Sequence, residues 1–230
     1  MAARNLLVAM IVGCTISAQA SADLLLNGSF EAPSGYAQGA QGVMPPNWQA
    51  TDSTSPDLYS SDGSFGLSPS AFGNFVGVVA QDGLGWVAGA GASSWGYESF
   101  GQLLANPLLP NSQYSLTAYL HQSTRSDLNN PGAYEIMINQ ANTLVGAVPL
   151  VSLDPTTGSG NWEFRTASFV TPANSVSLPW LIFRPYASGP TGTFSYPGLD
   201  NVVLTAVPEP STLLTLVIGL CWACKRRHRN

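Results

Sequence analysis

Between Asp23 and Val207 the chain holds one histidine, His121, and no cysteine, so Cys-His nucleophilic chemistry and catalysis at a multi-histidine metal are excluded by count. A Ser-His-Asp triad would have to use His121, which lies in an alternating run and is expected to face solvent or a loop. No G-x-S-x-G turn exists to present a serine. Glycosidic chemistry needs two carboxylates a few ångströms apart; Glu98, Glu135 and Glu163 can each point out of a sheet, but no spacing sets two of them together. Gly83 to Gly91 lacks the Lys-Ser/Thr of a phosphate-cradling loop. The residues therefore predict no catalytic group and a non-enzymatic protein.

Binding chemistry is left to the aromatics, whose faces stack on sugar rings while polar neighbours take the hydroxyls. The loop-proximal set is Trp86, Trp95, Tyr97, Trp180, Tyr186 and Tyr196. Trp86 and Trp95 are the expected ligand-binding residues, because the glycines around them imply exposed loops.

These groups must be carried by strands. The 230 residues are 45% hydrophobic and only 9% charged, with 23 Gly and 17 Pro, which is the composition of a turn-rich all-β domain and excludes a disordered chain. Alternation is clearest in Tyr114, Leu116, Ala118 and Leu120 against Ser115, Thr117 and His121, and in Tyr134, Ile136 and Ile138 against Glu135 and Asn139. Ten strands are expected: 24–29, 47–51, 57–60, 75–81, 97–103, 113–122, 133–139, 162–170, 176–185 and 199–206, with loops at 82–96, 129–132 and 154–160. No convincing amphipathic helix and no repeat of 20 to 50 residues is present.

Charge separates the body from the ends. Twelve of the 13 acids lie between Asp23 and Val207, against Arg125, Arg165 and Arg184 and no lysine, so this body would repel nucleic acid and attract divalent cations. Residues 1–22 read as a secretory signal: Arg4, an apolar Leu6 to Gly13, and Ala20-Ser21-Ala22 as the cleavage site, with cleavage expected after Ala22. Ile11-Val12-Gly13-Cys14 offers a lipobox as the alternative. At the other end Pro208-Glu209-Pro210 precedes an apolar stretch, read as a short transmembrane helix over 211–224, and a basic tail over 225–230 with Lys225, Arg226, Arg227 and Arg229. The basic cluster stays cytoplasmic, which places the body outside the inner membrane. All three cysteines fall in these two ends, so the body has no disulfide framework, and Cys221-x-x-Cys224 reads as small apolar residues of a membrane helix.

The order of tripeptide, apolar helix and terminal basic cluster over 207–230 resembles the PEP-CTERM sorting signal of exopolysaccharide-producing Gram-negative bacteria. That resemblance implies exosortase and the secretion machinery as partners, transient residence in the inner membrane, and delivery to the cell surface or extracellular matrix.

Leu26-Asn27-Gly28-Ser29-Phe30-Glu31 and Leu199-Asp200-Asn201-Val202 resemble the first- and last-strand signatures of galactose-binding-like jelly rolls, which include many carbohydrate-binding modules. Pro46-Asn47-Trp48, Gln102 and Trp162 agree with them. The resemblance implies a jelly-roll β-sandwich over 23–206 and extracellular polysaccharide as a partner. It also implies a structural Ca²⁺ where the two motif acids, Glu31 and Asp200, meet; a cation taking six to eight oxygens would there tie the chain ends together. Strand-end hydrogen bonding to backbone is the other role open to the two acids.

Overall fold

The computed structural model describes residues 22–92, 96–158, 160–190 and 193–208. Ala22 and Pro208 stand exposed at its ends. The signal segment before Ala22, the sorting residues Glu209, Pro210, Lys225, Arg226, Arg227 and Arg229, the 211–224 helix and Trp95 lie outside the described residues. Among those described, no helix is long and apolar enough to cross a membrane.

The fold is all-β. In chain order the strands are β1 (Gln49–Ala50), β2 (Asp57–Ser60), β3 (Gly85–Ala88), β4 (Gly91–Ala92), β5 (Gly96–Tyr97) and β6 (Phe100–Leu103). They continue with β7 (Gln113–His121), β8 (Gly132–Asn139), β9 (Val148–Ser152), β10 (Glu163–Val170), β11 (Trp180–Ala187) and β12 (Gly198–Ala206), and a 3-10 turn at Ser175–Ser177 precedes β11. One sheet runs β1-β6-β11-β8-β9 and the other β10-β7-β12-β3-β2, while β4 and β5 form a small separate ribbon. All these strand pairings are antiparallel.

The two large sheets pack face to face. The predicted alternation of β7 sends Leu116, Ala118 and Leu120 inward, where they join Leu58, Val87 and Leu199 of their own sheet and Phe100, Ile136, Ile138 and Phe183 of the other. Phe100 and Phe183 stack at 5.7 Å, and Trp48 meets both edge-on.

The first-strand signature forms turns rather than the expected strand over 24–29, because Asn27 and Phe30 adopt positive φ (55° and 54°) and break the pleat. The segment is still sewn to the sandwich. Leu24 N–H donates to the Leu204 carbonyl, and the Gln102 amide bonds Leu26 in both directions, at 2.8 and 2.7 Å. Gly28 is dictated by close approach: a Cβ there would overlap the Val202 carbonyl oxygen, while Val202 N–H donates to Gly28 O at 2.9 Å.

Residues 75–81, expected as a strand, form an irregular loop, since Asn74 (φ 52°) and Gly77 (φ 80°) turn the chain on either side of Phe75. The glycine-rich stretch 82–96, expected as loop, contains β3. Strand β9 was not expected; Pro149 lies at a sheet edge where its missing N–H is tolerated, beside a register shift at Ile136/Met137.

Candidate active site

On the outer face of the β10-β7-β12-β3-β2 sheet, the end formed by β2, β3 and the neighbouring residues of β12 and β7 is covered, while Phe164 and Val170 of β10 stand exposed; the side chains of the covered end follow from register. Asp57 pairs with Ala88, Ala88 with Gly198, and Gly198 with His121, so one row across the sheet has a carboxylate at one end, an imidazole at the other and two small residues between. In the next row Tyr59 pairs with Trp86, their rings stacked at 5.4 Å and 8°. The loop 68–81 closes over this floor and lowers Phe75 onto it. That ring lies 5.2 Å from Tyr59, 6.0 Å from Trp86, 5.9 Å from His121 and 6.1 Å from Tyr196.

At the β2 edge lies a cleft of about 100 Å³ lined by Gln41, Ser55, Asp57, Phe72 and Glu98. Asp57 is buried; its Oδ1 accepts the Gly42 N–H at 2.8 Å and its Oδ2 the Tyr196 hydroxyl at 2.5 Å. Desolvation nevertheless raises its pKa above the ordinary carboxylate value. Glu98, partly exposed in the cleft between β5 and β6, accepts the Ala90 N–H at 2.7 Å and the Ser55 hydroxyl at 3.0 Å. Burial raises its pKa too, and the negative charge of Asp57 adds to the shift. Two carboxyls whose pKa values burial raises thus share one cleft with the Phe72 ring, which itself packs on Tyr196 at 5.3 Å. The Arg125 guanidinium sits 4.4 Å above Phe72 and is held by Asp127.

This arrangement can deliver a proton beside aromatic surface, and sequence reasoning missed it. The sequence sets Glu98 beside Glu135 and Glu163, but these sit in other surroundings: Glu135 pairs with Arg184 and Glu163 with Arg165. Asp57, the real neighbour, comes from β2. Its place in D-L-Y, alternating with the inward Leu58, was the available signal that Asp57 and Tyr59 share a face.

The other predicted residues fall as follows. Trp86 is no exposed loop residue; it lies in β3 and is fully buried under Phe75, so it offers no free face to a sugar. His121 is not solvent-facing either. It is buried between Phe75 and Trp162, its Nδ1 lies 2.9 Å from the Gln122 carbonyl, and burial pushes its imidazole pKa down. Tyr196 is buried on Asp57, whereas Tyr97, Trp180 and Tyr186 are partly exposed.

Glu31 and Asp200 do converge on one loop. Glu31 Oε1 accepts the N–H groups of Leu84 and Gly85 at 2.8 and 2.7 Å. Asp200, at a β-bulge in β12, accepts those of Gln81 and Asp82 on Oδ2 and that of Asn201 on Oδ1. Burial pushes Asp200 up to about 7 against the pull of these three donors. Among the described residues no group of three or more His, Cys, Asp and Glu side chains gathers around one point. What is seen is the backbone-binding role.

Among solved structures, the chain is similar to a Stig cyclase, Fisc, from Fischerella sp. TAU, described in complex with (3Z)-3-(1-methyl-2-pyrrolidinylidene)-3H-indole. Identity is 19%, coverage 82% of this chain and 98% of that one, and the TM-score 0.52. An apo cyclase from Fischerella sp. gives 18% identity, 82% and 97% coverage, and the same TM-score. A CBM22-2 xylan-binding domain from Paenibacillus barcinonensis gives 12% identity, 70% and 92% coverage and a TM-score of 0.46. No curated protein matches the chain in sequence. The expectation of a non-enzymatic protein is overturned, because the family whose model matches is one of cyclases. Counting nucleophiles and histidines excluded only chemistries that need them; a reaction driven by a carboxylic acid needs neither. With its model, described as HpiC1 cyclase, matched over residues 24–179, the chain belongs to the HpiC1-like family.

Proposed function

We propose that the protein is an acid-dependent cyclase acting at the cleft between Asp57 and Glu98. One observation carries this reading: two carboxyls, both with raised pKa, face the same cleft beside an aromatic ring. Glu98, the more accessible, donates a proton to a carbon–carbon double bond of the substrate. The resulting cation is attacked by a second π bond of the same molecule, which forms the ring, and the adjacent carbon returns a proton to the carboxylate. No atoms are gained or lost. Phe72 offers the cation aromatic surface in the cleft wall, and Asp57 is a positioning residue whose negative charge adds to the raised pKa of Glu98. An indole with an alkenyl chain at C3 is the first class to test, since the Fischerella relative is described with a 3-substituted 3H-indole bound.

The test is turnover of such indoles by wild type, Glu98→Gln and Asp57→Asn. Glu98→Gln should lose about 10²- to 10⁴-fold in kcat, the usual worth of a positioned general acid. Asp57→Asn should retain turnover while moving the alkaline limb of the pH profile to lower pH. Full activity in Glu98→Gln overturns the assignment.

We further propose that this cyclase is exported, cleaved after Ala22 and handled by exosortase through Pro208-Glu209-Pro210, on the order of parts in the sequence. Terminal peptide sequencing of the exported protein checks both cuts. Replacing the three motif residues by alanine should leave the protein in the inner membrane; unchanged release overturns the sorting reading.

A further inference from the structure

Phe75 occupies the middle of the cage with ring neighbours on several sides, yet it comes from an irregular loop rather than from the sheet. The cage beneath carries an unmet polar demand: Trp86 is fully buried and its Nε1 has no hydrogen-bond partner. A buried N–H without an acceptor is costly and rare, and a ligand group can relieve that cost. The orphan N–H lies near the place Phe75 fills. A Cβ on Gly198 would stand 3.4 Å from Trp86 Cδ1, the carbon bonded to Nε1, and 3.5 Å from both Phe75 Cε1 and Trp162 Cη2. The pyrrole edge of Trp86 therefore meets the edges of Phe75 and Trp162 over the same glycine.

The loop is tied down mainly by side chains rather than by sheet pairing. Gly73 N–H donates to the Tyr59 hydroxyl at 3.0 Å, the Ser123 hydroxyl to Gly73 O at 2.5 Å, Ala80 N–H to the Ser61 hydroxyl at 2.7 Å, Trp162 Nε1–H to the Val79 carbonyl at 2.7 Å, the Arg125 guanidinium to the Phe72 carbonyl at 3.2 Å, and the Thr124 hydroxyl to the Asn74 carbonyl. Its tip turns Val76 and Val79 outward at 66% and 64% exposure. Such a segment can leave without unzipping a strand, which is what a gate requires.

We propose that Phe75 is a displaceable plug, and that the cage under it binds a flat apolar ring system carrying one hydrogen-bond acceptor, which the Trp86 N–H receives. This deepens the cyclase reading by placing the substrate's ring next to the acid cleft, through the shared Tyr196. Ring binding is read without turnover, so its failure is separable from failure of the acid chemistry. Gly73 supplies a way to evict the plug without carving a hole. A methyl there would lie 2.6 Å from Phe75 Cε2 and 2.7 Å from Tyr196 Cε1, so one of the two rings must move, and Tyr196 is held by Asp57.

The experiment uses the full chain with two probes, indole-3-carbaldehyde and 3-ethylindole, which share a bicycle and differ in the acceptor. Wild type should bind the aldehyde several-fold more tightly, about the worth of one neutral hydrogen bond, and Trp86→Phe should erase that preference. On saturation the amides of Gly73 and Ala80 should exchange faster while those of β7 and β12 do not. Gly73→Ala should tighten aldehyde binding about tenfold; should it not fold, Phe75→Leu serves the same end. Binding with unchanged exchange at Gly73 and Ala80 overturns the plug, as does a preference that survives in Trp86→Phe. Equal tightening in Phe183→Leu, which opens space in the inter-sheet core instead, overturns it as well, and so does failure of wild type and both loop variants to bind either probe.

Discussion

The Tyr196 hydroxyl donates a 2.5 Å hydrogen bond to Asp57 Oδ2 across 139 residues of sequence, and the same hydroxyl lies 3.4 Å from that of Tyr59. This contact joins the aromatic cage to the acid cleft. It also restrains a carboxyl that burial would otherwise push further from its ordinary pKa. Tyr196→Phe removes the donor and leaves a buried carboxyl oxygen unpaired, which should cost about 1–3 kcal/mol of stability. Asp57→Asn, which keeps an acceptor for Gly42, should cost less; thermal or urea unfolding of the two variants gives the order.

Stability should fall as pH rises. Asp57 and Glu98 both have folded-state pKa values above their unfolded ones, so each binds its proton more tightly when folded. Their contribution is fully present below the ordinary carboxylate range and is lost as pH climbs through the raised values. Asp200, pushed up to about 7, acts in the same direction, whereas the buried His121, whose pKa is pushed down, favours the folded state as pH rises. The melting midpoint of wild type should therefore be higher near pH 5 than near pH 8 where the carboxyls dominate, and Glu98→Gln and Asp200→Asn should each flatten the dependence; a fall that both variants leave unchanged would show that these carboxyls do not carry it.

The inner layer was legible because its period is short and local. Tyr114, Leu116, Ala118 and Leu120 announce one face of β7, and β2 falls where Asp57 to Ser60 suggested. The outer layer was not, because a sheet face covered by a loop reads as polar or glycine-rich strand in one dimension. Gly85 looked like part of an exposed stretch, yet it is there because a Cβ would overlap the Phe30 carbonyl oxygen, a contact between distant segments. The acid pair was hidden for the same reason: Asp57 and Glu98 meet through sheet register and the β4-β5 ribbon, which no spacing rule encodes.

Gly28→Ala should be far more damaging than Gly39→Ala. Gly39 has a positive φ of 73° but nothing within 4 Å of a built Cβ, so alanine there costs only the backbone strain of a left-handed residue, about 1 kcal/mol. At Gly28 the added carbon runs into the Val202 carbonyl and must push the first segment off β12, breaking the Val202 to Gly28 hydrogen bond. Soluble yield and unfolding midpoint of the two variants decide this; equal midpoints would mean that the N-terminal segment is not held as described.

We propose calcium at Glu31 and Asp200 on the likeness of the first and last segments to jelly-roll signatures. Glu31 and Asp200 grip opposite ends of the Gln81–Gly85 segment, so a cation shared by their carboxylates and nearby carbonyls would fasten the first segment, this loop and β12 together. A ligand that binds the native state alone adds RT ln(1 + [L]/Kd), about 2.7 kcal/mol at a hundredfold excess over Kd, enough to raise the midpoint by several degrees. Wild type should melt higher in millimolar Ca²⁺ than in EDTA, and Glu31→Gln should shrink that difference more cleanly than Asp200→Asn. The reason is that Glu31→Gln can keep its remaining oxygen on Leu84 and Gly85, whereas Asp200→Asn turns an amide toward N–H donors and weakens the loop with or without the ion. If the midpoint is the same in EDTA and in Ca²⁺, the two acids serve as backbone anchors alone.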